Sequence, residues 1–75
     1  MIHFDVTNID GDRELRLAGT DTLVGWIEQG RRMTNVTRNW TEWGFTPIDG
    51  PMSPVRENIA TAYDDARAYA ERRLS

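Results

Sequence analysis

Arg31, Arg32 and Arg38 lie just upstream of Trp40, Trp43 and Phe45, and Glu42 sits between two of the rings. Guanidinium groups pair bidentately with carboxylates and phosphates and stack on aromatic faces, so this spacing suits recognition chemistry. Two kinds of target fit it. On a protein partner, Trp and Arg are among the residue types that dominate interface hot spots. On a single-stranded nucleic acid, rings stack on bases while arginines follow the backbone, each base being worth about 1 to 3 kcal/mol.

Covalent and acid–base chemistry finds little to work with. The one histidine, His3, alternates with apolar neighbours near the start of the chain, as a solvent-facing strand residue does. Ser53 and Ser75 are the only serines, cysteine is absent and all nine basic residues are arginine, so neither a nucleophilic triad nor a Schiff-base lysine can be assembled. The carboxylates fall in a turn and on a solvated helix face, where nothing desolvates them. Asn8, Asp10 and Asp12 alternate as in a calcium loop, but Gly11 comes too early and the twelfth position is Gly19, where an EF-hand needs a bidentate Glu. The chain is therefore read as non-enzymatic, with no catalytic, cofactor or metal residue.

Charge narrows the partner. The net charge is −3, with six acids against Arg13 and Arg16 in residues 1–30, and a local excess of arginine in residues 31–45. An acidic chain lacks the broad positive field that drives phosphate binding, which favours a protein partner over direct contact with nucleic acid. In size and charge the chain is similar to small phage and mobile-element proteins that inhibit host defence, anti-CRISPR proteins among them. The expected function is a protein-binding module that blocks or modulates a larger, nucleic-acid-handling complex, through Arg31, Arg32, Arg38, Glu42 and Trp43. The alternative is a nucleic-acid-binding accessory protein that uses the Arg/Trp segment 31–45. A second, acidic face of Glu57, Asp64 and Glu71 at seven-residue spacing is the candidate for mimicry of a phosphate backbone. The chain opens without a basic-then-apolar leader and carries no run of about 18 apolar residues, so a cytoplasmic protein off the membrane is expected. Self-association is compatible with all of this.

The elements that must position these groups belong to one domain, residues 1–75, of the α+β class. Ile2, Phe4 and Val6 alternate with polar residues, as do Leu15 and Leu17, and Asp10-Gly11 between them predicts a type I′ hairpin. Its register sets Phe4 opposite Leu17, Asp5 opposite Arg16 and Val6 opposite Leu15. Leu23, Trp26 and Ile27 fall at the i, i+3, i+4 spacing after Asp21, a capping residue, and before Gly30, which predicts a short middle helix over about 22–29. Residues 33–45 are rich in Thr, Val, Trp and Phe, which predicts two strands joined near 39–43. Trp40 is then assigned to the core on the face of Val36, and Trp43 to the surface as a partner anchor. A long C-terminal helix capped by Ser53, with Pro54 in its first position, carries the stripe Val55, Ile59, Ala62, Ala66, Tyr69 and Ala70 toward the sheet.

Overall fold

The computed structural model describes the backbone of residues 2–33 and 39–74 and the side chains of residues 2–30 and 42–73. Four antiparallel strands, β1 (Phe4–Ile9), β2 (Asp12–Leu17), β3 (Leu23–Met33) and β4 (Asn39–Pro47), form a sheet in sequence order, and one helix, α1 (Ile59–Leu74), follows. The α+β class holds; the middle helix does not form.

The first hairpin forms as its residues predict. Asp10 and Gly11 both take positive φ, 52° and 90°, which is the type I′ turn, and the pairs Phe4↔Leu17, Asp5↔Arg16 and Val6↔Leu15 are all present. The polar pair is not an ion pair, however. The Asp5 carboxylate accepts the Gly19 amide at 3.0 Å, while Arg16 donates to Glu14 at 3.1 Å and to the Asp21 carbonyl at 2.9 Å.

Of residues 22–29, expected to be helical, all but Thr22 belong to β3. Thr22, Val24 and Gly25 are poor helix formers, and an extended chain here can bond to β2 on one side and to β4 on the other. The apolar spacing misleads because of a bulge. Leu15 pairs with Gly25 and Arg16 with Leu23, so Val24 is an extra residue on β3. Val24 and Ile27 both enter the core while Trp26, opposite Glu14, lies on the other face. An apolar pattern that changes phase at a bulge thus imitates a helical period. Gly25 is required there: a Cβ would meet the Thr46 carbonyl oxygen at 2.3 Å.

β4 is one strand over Asn39–Pro47, so the junction with β3 falls between Met33 and Asn39 and not at 39–43. Its outer edge is covered at Trp43 and Phe45 by the chain itself. Ser53 donates to the Phe45 carbonyl at 2.8 Å, and Trp43 and Arg56 exchange both backbone bonds at 2.8 and 2.7 Å. This extended strap explains why α1 does not begin at Ser53 and Pro54, and why Val55 is exposed instead of lying on the helical stripe. Three backbone bonds along an edge outweigh one more helical turn. Asn58 caps α1 instead, its side chain accepting the Ala60 amide at 2.8 Å.

The core lies between α1 and the inner strands. Ala62, Ala66 and Ala70 are fully buried against Phe45, Ile27, Val24 and Leu15, and the alanines let the helix lie close to β3 and β4. Ile59 and Tyr69 border the stripe, and the Tyr69 ring meets Phe45 at 5.6 Å between centroids.

Candidate functional site

β3 and β4 outrun the rest of the sheet. The last β2 partner on β3 is Ile27, opposite Arg13, and the Asp12 carboxylate closes the ladder by accepting the Gln29 amide at 2.9 Å. Beyond it the pairs Gly30↔Glu42, Arg31↔Thr41, Arg32↔Trp40 and Met33↔Asn39 continue with no third strand beside them among the described residues. Four residues of strand span about 13 Å, so β3 and β4 project as a two-stranded arm. The molecule measures 44 Å along its longest axis against 23 and 21 Å across.

The arm brings part of the predicted binding set together. Arg31, Arg32 and Glu42 lie on its backbone, and Trp43 stands at its base. Arg38 lies outside the described residues, as do the side chains of Arg31, Arg32 and Trp40, so the assignment of Trp40 to the core falls outside them too. Trp43 is placed differently from the expectation of a free surface ring. It pairs with Gln29 and shares the parity of Phe45, so its half-buried ring turns toward α1 and packs against the core. The reason is the strand junction: with 39–47 one continuous strand, the face of Trp43 is set by Phe45 and not by Val36.

Arg13 completes this base and was missed among the candidates. Its guanidinium lies 4.9 Å from the centre of the Trp43 ring, a cation–π contact, and its Nη1 is buried with no hydrogen-bond partner. The signal was present in the hairpin, where Arg13 shares the parity of Leu15 and Leu17 and so had to point to the apolar face. Glu42, beside Trp43, is half-buried and engaged within the fold.

The acidic face is smaller than three residues at a regular spacing. Glu57 precedes the helix and is not part of its surface, which leaves Asp64 and Glu71. Asp64 bonds to Arg67 at 3.1 Å and Glu71 also has an interaction partner, so the local field is partly neutralised. The remaining acids of this half serve the fold. Asp65 holds Arg56 of the strap bidentately at 3.0 and 3.1 Å, first through the hydrogen bonds and then through its charge raising the Arg56 guanidinium above its ordinary pKa. Asp49 accepts from the Tyr69 hydroxyl at 2.5 Å and from Arg73.

Among the described residues no group of His, Asp or Glu is arranged to hold a metal ion, and no helix is long and apolar enough to cross a membrane. No protein-family model, curated protein or solved structure matches the chain.

Proposed function

We propose that this chain is a non-enzymatic protein-binding module that blocks or modulates a larger partner, with the β3–β4 arm as its contact element. The observation that supports this reading is the run of four strand pairs held beyond β2 with no third strand beside them among the described residues. A two-stranded ribbon alone is marginal in water, so an arm of this length is best explained by a partner that completes it. Its composition fits the role. Arginine and tryptophan supply interface hot spots, and the Arg13–Trp43 stack stiffens the base from which the arm extends. The partner class is a nucleic-acid-handling complex, as in host-defence machinery, whose protein surfaces offer both basic grooves and carboxylates.

One feature favours a second reading, direct binding of nucleic acid, because a two-stranded ribbon fits the major groove of a duplex. The overall charge of −3 weighs against it.

Replacing residues 31–41 by Asn-Gly tests the proposal. Gly30 and Glu42 are paired, and a two-residue turn closes such a pair naturally. A protein captured from the native host by the intact chain, after nuclease treatment, should be lost with the shortened one. Capture that survives the replacement would exclude the arm. Salt-sensitive binding of oligonucleotides by the purified intact chain, lost on shortening, would establish the second reading instead.

A further inference from the structure

The two edges of the sheet are treated differently. The outer edge of β4 is occupied at Trp43 and Phe45 by the strap from Ser53 to Arg56, whereas no described segment lies on the outer edge of β1. The devices that usually protect an edge strand are missing from β1: it has no proline, no lysine and no bulge. Its single charge, Asp5, is turned back onto the Gly19 amide. Because the two-residue turn makes Ile9↔Asp12 the closing hydrogen-bonded pair, the amides and carbonyls of Phe4, Val6 and Asn8 point outward. Ala18 donating to His3 at 3.0 Å follows the same alternation. Val6 and Ile9, 45% and 48% exposed, flank this open ladder on the two faces.

We infer that β1 pairs antiparallel with β1 of a second copy of this chain, with Val6 on the two-fold axis, giving a continuous eight-stranded sheet. Self-complementarity selects both the occupant and the register. With Val6 opposite Val6, Phe4 faces Asn8 and Asp5 faces Thr7 of the second copy, so no like charges oppose one another. A slip of one hydrogen-bonding step one way sets Asp5 against Asp5. The slip the other way drops Phe4 from the ladder and leaves it against the turn. No described element obstructs the approach, because α1 packs on β3 and β4, about 10 Å or more from the open edge. As β1 and β3 run parallel, the two arms of the dimer point in opposite directions. This inference stands independently of what the arms bind.

A single cysteine tests the register, since the chain has none of its own. A hydrogen-bonded antiparallel pair sets its Cα atoms about 5.5 Å apart, within disulfide range. Val6→Cys should therefore cross-link under mild oxidation faster than Thr20→Cys, in the exposed β2–β3 loop, by about tenfold or more. Sedimentation of the unaltered chain should shift from monomer to dimer as concentration rises. Val6→Lys, which would place two cations on the axis, should remain monomeric with an unchanged circular dichroism spectrum. The inference is overturned by an unaltered chain that stays monomeric throughout, by a folded Val6→Lys that still dimerises, or by equal cross-linking at positions 6 and 20. If Val6→Lys does not fold, the ratio of the two cross-linking rates decides.

Discussion

Ala66 and Trp43 show how much one side chain decides here. Ala66 is fully buried at the centre of the helical stripe, where the helix lies against the sheet, while Ala68 two positions on is exposed. Ala66→Leu should overpack that contact and cost about 1 to 3 kcal/mol, with Ala68→Leu nearly neutral, in chemical denaturation. Equal effects would place the wrong face of α1 on the sheet. Trp43 is half-buried between the core and the Arg13 guanidinium. Trp43→Ala should accordingly destabilise the fold by about 2 kcal/mol, below the cost of deleting a fully buried ring. An unchanged thermal midpoint would restore Trp43 to the role of a purely surface anchor.

Between elements, the chain spends its polar residues on holding the strap. Arg56 is bonded to β4 through its backbone and to α1 through its side chain, and Asp49 reaches Tyr69 and Arg73 from the other end of the connector. Breaking the Arg56–Asp65 contact should loosen the strap before it affects the sheet. In Asp65→Ala, hydrogen exchange at the amides of Trp43 and Arg56 should quicken, while amides within the β1–β2 hairpin keep their protection. Uniform acceleration everywhere would mean that the strap opens only with global unfolding.

At the scale of the whole molecule, body and arm are separable. All the fully buried apolar residues among those described, from Leu15 to Ala70, lie in the body. Replacing residues 31–41 by Asn-Gly should therefore leave the thermal midpoint within a few degrees of the parent, because a change of about 1 kcal/mol corresponds to roughly 4 to 8 °C in a domain of this size. A large loss of stability would show that the arm serves the fold and not a partner.

Local rules by themselves determined the two ends of this protein. Asp10-Gly11 and the alternation around it specify the first hairpin and its register, because a type I′ turn of two residues leaves only one pairing. The alanines at 62, 66 and 70 specify the buried face of α1, because a four-residue spacing holds one side of a helix. Only the tertiary structure decided the middle. Leu23, Trp26 and Ile27 satisfy a helical period, and they became strand because β2 and β4 offered ladders on both sides and a bulge at Val24 reset the phase. Ser53 and Pro54 have the residue types of a helix start, and lost to the unpaired edge of β4. Trp43 turned inward for the same kind of reason. Its face depends on where β4 begins, and that is set by pairing with β3, a contact between segments far enough apart in sequence that no local pattern records it.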